Sequence, residues 1–97
     1  MQELDNPFSS KEVVEKLSIG DSTLRKWALA LEEQNYNFVR TTQNKRLFSD
    51  KDIFVLSQFK ILVQDKNLSI TNAAAIIAAK YSDDILFENG TEKEQYL

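Results

Sequence analysis

The chain has no cysteine and no histidine. It can therefore form no disulfide, offer no thiolate nucleophile or imidazole base, and build no zinc site from the usual ligands. Most catalytic chemistry goes with them, so an enzyme is not expected, and neither is a cofactor or a metal. Proline occurs once, at Pro7, and glycine only at Gly20 and Gly90, so chain breakers fall near three places and leave the long periodic segments uninterrupted. Long apolar runs are also missing. The longest, Ala73 to Ala79, ends at Lys80 and falls far short of the roughly 18 residues of a membrane span. The first ten residues, MQELDNPFSS, are acidic and carry no apolar run, so a cytoplasmic protein is expected.

What remains is one small domain. Ninety-seven residues suffice for a single core. The formal charge of −3 and pI near 4.9 argue at first against a nucleic-acid partner. The charge is unevenly spread, however. Residues 82–97 hold Asp83, Asp84, Glu88, Glu92 and Glu94 against Lys93 alone, whereas residues 8–81 hold eleven Lys or Arg against eight Asp or Glu, a balance of +3. The reading is a flexible arm at 1–7, a mildly basic folded domain at 8–81, and a disordered acidic tail at 82–97.

Ser9-Ser10-Lys11-Glu12 fits a capping box, with Phe8 placed to staple onto Val13, and predicts a helix over Ser10–Leu17 with Val13, Val14 and Leu17 inward. Ser18-Ile19-Gly20 interrupts it, and Asp21, Ser22 and Thr23 start a second helix over 21–33. On its wheel Leu24, Trp27, Ala28 and Leu31 fall on one side and Ser22, Arg25, Lys26 and Leu29 on the other. Two helices three residues apart, with Ile19 between them, have the layout of a helix-turn-helix. Alternation through Tyr36, Phe38 and Arg40, a polar turn at Thr41–Asn44, and Lys45-Arg46-Leu47-Phe48 predict a short β-hairpin over 36–48. Ser49 caps a third helix over Asp50–Asp65, and Ser69 a fourth that reaches Tyr81, rich in Ala and Ile. Phe54 and Ile61 point away from the third helix's inward face, either to pack under the fourth helix or to form a dimer seam.

A two-helix unit followed by a basic hairpin defines a winged helix-turn-helix, a mostly α fold with a small two-stranded wing. Arg can fork two hydrogen bonds to a guanine edge or a phosphate, and Ser or Thr at a helix start adds hydroxyl and N–H contacts to phosphate. Ser22, Thr23, Arg25 and Lys26 on the second helix and Arg40, Lys45 and Arg46 on the wing are the candidate DNA-binding residues. Trp27 shares the stripe of Leu24 and Leu31 and reads as core. Leu29 is preferred as a contact to the wing base or a neighbouring loop over a thymine methyl. The adjacent carboxylates Glu32-Glu33 and Asp83-Asp84 do not face one another on a helix, so they read as solvated charge rather than an acid–base pair.

These residues resemble the DNA-binding domain of MerR-type regulators. Thr23-Leu24-Arg25-Lys26-Trp27 is similar to that family's T-[IL]-R-Y-[YW], with Lys26 in place of the first aromatic. Arg40 through Phe48 keeps the spacing of its wing pattern R-x-x-x-G-Y-R-x-[YF], with Asn44-Lys45 for Gly-Tyr. Ser49-x-x-Asp52-Ile53-x-x-Leu56 resembles the opening of the third helix and Leu68-Ser69-Ile70 the start of the fourth, so the likeness spans residues 8–81. Gly20 stands where many members have a Ser or Thr cap, and Ser18 where they often have Gly. The resemblance implies a four-helix winged domain bound to double-stranded DNA, with Arg25 as the leading base or phosphate contact, Thr23 on phosphate, Lys26 in the groove and Arg46 reaching from wing to backbone. The family's long dimerising helix and effector domain have no counterpart here, so no small-molecule sensing is expected. Transcriptional regulation is the leading reading, with a homodimer or larger assembly supplying the second half-site. The alternatives are the DNA-binding head of a plasmid or chromosome segregation protein, located at the nucleoid or on a plasmid, and a protein-interaction module using the apolar fourth helix and acidic tail.

Overall fold

A computed structural model describes residues 7–81. The acidic tail and all but the last residue of the leading arm lie outside them. Four helices and one hairpin follow in the order α1 (Ser10–Leu17), α2 (Asp21–Glu33), β1 (Val39–Arg40), β2 (Arg46–Leu47), α3 (Asp50–Lys60) and α4 (Ile70–Tyr81). The expected winged helix-turn-helix is the observed fold.

Local signals explain most boundaries. The Ser9 hydroxyl accepts from the Glu12 N–H at 3.2 Å and the Glu12 carboxylate from the Ser9 N–H at 2.8 Å, which closes the capping box of α1. Phe8 was expected only as a staple, yet its backbone also forms an antiparallel bridge with Phe48, at 2.8 and 2.9 Å, and ties the chain start to the wing. Ser18 ends α1 in the left-handed region, φ 57°, and the Ile19 N–H returns to the Val14 carbonyl. From α3 the Lys60 ammonium donates to the Leu17 carbonyl at 2.6 Å, placing a cation at the negative end of α1. Asn35 closes α2 in the same left-handed way, φ 70°, with Tyr36 N–H bonded to the Leu31 carbonyl.

The wing is shorter than the sequence suggests. Regular pairing covers only Val39 with Leu47 and Arg40 with Arg46. Tyr36 and Phe38 are buried, with ring centroids 5.3 Å apart, and Phe38 lies 5.2 Å from Phe48, so the aromatic positions before β1 act as core rather than ladder. At the tip Asn44 takes φ 66°, the conformation for which a glycine is usual, and the Thr41 hydroxyl accepts from the Gln43 and Lys45 N–H groups.

Trp27, Leu31, Phe48, Val55, Leu56 and Phe59 form the centre of the core, with Trp27 and Phe59 rings 5.0 Å apart. Ala73, Ala74 and Ala78 let α4 come close to α2 and are buried with Ile77, while Ile76 of the same helix stays 48% exposed. The third helix departs from the expected Asp50–Asp65 span. After Lys60 the backbone widens into a π-helical turn over Ile61–Asp65, in which Lys66 N–H reaches the Ile61 carbonyl. Ile61 is 40% exposed and Phe54 52%, and the Phe54 ring meets that of Tyr81, at the end of α4, edge to face with centroids 5.8 Å apart. Asp52 caps α3 with Ser49 and is itself buried, accepting the Tyr36 hydroxyl at 2.7 Å. Among the described residues no helix is long and apolar enough to cross a membrane.

Two positions of the helix-turn-helix turn are not optimal. Gly20 caps α2 with no side-chain bond at φ −86°, and a Cβ added there would meet nothing within 4 Å. A serine would cap the helix and reduce unfolded-state entropy, so Gly20→Ser is expected to stabilise the domain by about 0.5–1 kcal/mol. Ser18→Gly removes the Cβ from a left-handed position and is expected to stabilise by about 1 kcal/mol. Denaturant unfolding of both variants checks these values, and a loss of stability in either would contradict the turn geometry.

Candidate nucleic-acid interface

Burial divides α2 lengthwise. Leu24, Trp27, Ala28 and Leu31 are buried, while Ser22, Arg25, Lys26 and Leu29 are exposed. The core stripe thus fixes the helix with its basic row outward. Thr23 is half-buried between the two rows. Among the described residues neither Arg25 nor Lys26 has an ion-pair partner, so both keep their donors available. Ser22 lies in the first turn, near the free backbone N–H groups and the positive end of the dipole, and Asp21 occupies the same turn.

The wing cations are arranged differently. Glu32, in the last turn of α2, accepts the Arg46 guanidinium through a fork: Nε to Oε2 at 3.1 Å and Nη2 to Oε1 at 2.9 Å. Arg40 adds Nη2 to Oε2 at 3.0 Å, and its Nη1 donates to the Asn44 carbonyl at 3.1 Å. The Arg46 and Glu32 side chains are only 16% and 18% exposed, so this pair lies largely out of water, while Arg40 at 34% is wetter. Glu32 is therefore not the solvated charge that its place beside Glu33 suggests. It couples wing to helix and was missed because its partners lie 8 and 14 residues away, where no helical spacing reports them. Arg46 keeps three of its five N–H groups beyond the fork. Lys45 is exposed near the tip.

The geometry thus brings the seven candidates into two groups: Ser22, Thr23, Arg25 and Lys26 on α2, and Arg40, Lys45 and Arg46 on the wing. In the second group the two arginines share one carboxylate. The hydrogen bond from Arg46 holds the Glu32 carboxyl below its usual pKa of 4.5; burial opposes it, and Arg40 reinforces it.

An outward basic row on the second helix of a helix-turn-helix, beside a hairpin tied to that helix, is the arrangement of a DNA-binding domain. The family model described as MerR HTH family regulatory protein matches residues 8–80, and the chain belongs to this family, which is non-enzymatic and DNA-binding. Its fold is similar to that in the crystal structure of HiNmlR, a MerR family regulator lacking the sensor domain, bound to promoter DNA. The TM-score is 0.64 at 23% identity, over 76% of this chain and 56% of that one. The chain therefore spans little more than half the length of that regulator. No curated protein sequence matches it.

The clamp makes a pH-dependent prediction. A carboxyl with a depressed pKa stabilises the fold above its unfolded value, near 4.5, and that stability is lost as pH falls through the lower folded value. Glu32→Gln is expected to cost about 1–3 kcal/mol at pH 7, because Arg46 loses its charged acceptor. The gap from wild type should narrow below pH 4.5 and close once Glu32 is protonated in the folded state. Urea unfolding of both proteins between pH 7 and pH 3 measures it, and a gap independent of pH would refute the assignment.

Proposed function

We propose that this chain regulates transcription by binding duplex DNA, with α2 in the major groove and the wing along the flanking backbone. The observation that carries this reading is the row of Arg25 and Lys26, exposed on the face of α2 opposite the core and without ion partners among the described residues. Arg25 and Lys26 read base edges. Ser22 and Thr23 hold phosphate at the helix start, and Lys45 holds it from the wing tip, with Arg46 adding the donors its fork leaves over. The MerR regulator of similar fold was crystallised on promoter DNA, which favours transcription over segregation for this chain. One domain covers one half-site, so the functional unit contains two copies or adjacent copies, at the nucleoid.

Two substitutions separate the parts. Arg25→Ala should weaken binding to a selected duplex by about 1–3 kcal/mol and relax preference at one base pair. Lys45→Ala should weaken all sequences alike and lower the slope of log K against log salt by about 0.9, without changing stability. Selection from random duplexes followed by titration at several salt concentrations tests both. Unchanged binding in Arg25→Ala would exclude α2 as the reading helix, and an unchanged salt slope in Lys45→Ala would exclude the wing tip from the interface.

A further inference from the structure

Leu29 is the apolar member of the outward row of α2. Ser22, Arg25, Lys26 and Leu29 recur at spacings of three and four, which places them on one face. Leu29 is 48% exposed and stands outside the set of half-buried apolar residues packed against the core, so about half of its side chain faces outward. The following turn of the same face carries Glu32, with Arg40 and Arg46 bound to it. Leu29 therefore lies between Arg25 and Lys26 on one side and the clamped wing on the other, within the surface that meets DNA in the function proposed above, on which this inference rests.

The apolar feature of a base edge in the major groove is the C5 methyl of a pyrimidine. We propose that Leu29 is a specificity-determining residue that packs on a pyrimidine C5 methyl, that of thymine or of 5-methylcytosine. At 1.5 Å of rise per residue, Leu29 stands about 4.5–6 Å along the helix from Lys26 and Arg25. With base pairs about 3.4 Å apart, the methyl belongs one or two steps from the pair those residues read. The cations then select by hydrogen bonding and Leu29 by shape and desolvation, two discriminations that fail independently.

The test uses the full chain and a duplex recovered by selection, with each thymine replaced in turn by deoxyuridine, which removes the methyl and leaves every hydrogen-bonding group in place. Burial of one methyl is worth about a fourfold change in affinity. One such replacement should weaken wild-type binding by about that factor, and the same replacement should leave Leu29→Ala unaffected. If no thymine responds, duplexes carrying 5-methylcytosine at single cytosines should show the same gain in wild type alone, which assigns the methylated base as the source. Binding that is insensitive to every methyl, or equally sensitive in wild type and Leu29→Ala, overturns the role of Leu29 while leaving DNA binding intact. Failure of the chain to bind any duplex overturns both, and Leu29→Gln, which keeps a long side chain without its apolar end, should behave as Leu29→Ala.

Discussion

The wing is tied to α2 by one carboxylate at the end of that helix, Glu32. A hairpin with two paired residues on each strand has little stability of its own. It is positioned from both sides: Phe38 and Phe48 stack inward, and Glu32 grips the Arg46 fork with Arg40 beside it. Removing the carboxylate would leave a guanidinium largely out of water with no counter-charge, a costlier state than never burying it. A second carboxylate acts on the segment that leads into the wing. Asp52 caps α3 and accepts the Tyr36 hydroxyl, so the link between α2 and β1 is pinned to the start of α3. The orientation of the proposed DNA surface thus depends on two acids, Glu32 and Asp52, both bonded within the protein.

The scarcity of glycine has a structural counterpart. Gly20, the one glycine among the described residues, does not occupy a left-handed position. Four other residues do: Ser18, Asn35, Asn44 and Asn67. They stand at the end of α1, the end of α2, the tip of the wing and the approach to α4, so each sets the angle between consecutive elements. Asparagine tolerates this region better than other residues with a Cβ. Asn44 accordingly replaces the glycine of the family's wing pattern without loss of the turn, and its carbonyl also receives a bond from Arg40.

Features encoded within a few residues were legible in the sequence. The box at Ser9 and Glu12, the bounds of α1 and α2, and the division of α2 into Trp27 and Arg25 faces all follow from spacings of three or four. Alternation from Tyr36 onward correctly reported a two-sided segment, but alternation does not say how far hydrogen bonding extends, and the ladder begins only at Val39. The partners of Glu32 and Lys60 were not legible, because each pairing joins separate elements through the packing of the whole core.

The net charge that seemed to argue against DNA can now be resolved by position. Residues 8–81 carry a surplus of three positive charges, but not all of their cations are equally available. Arg40 and Arg46 share Glu32, so together with it they present about one net positive charge, whereas among the described residues Arg25 and Lys26 have no ion-pair partner. Sequence-independent attraction scales with the number of phosphates neutralised, so the clamp lowers it at the wing. It leaves the hydrogen-bonding and apolar contacts of α2 a larger share of the total. In the function proposed above, a carboxylate beside the wing arginines therefore favours discrimination over raw affinity.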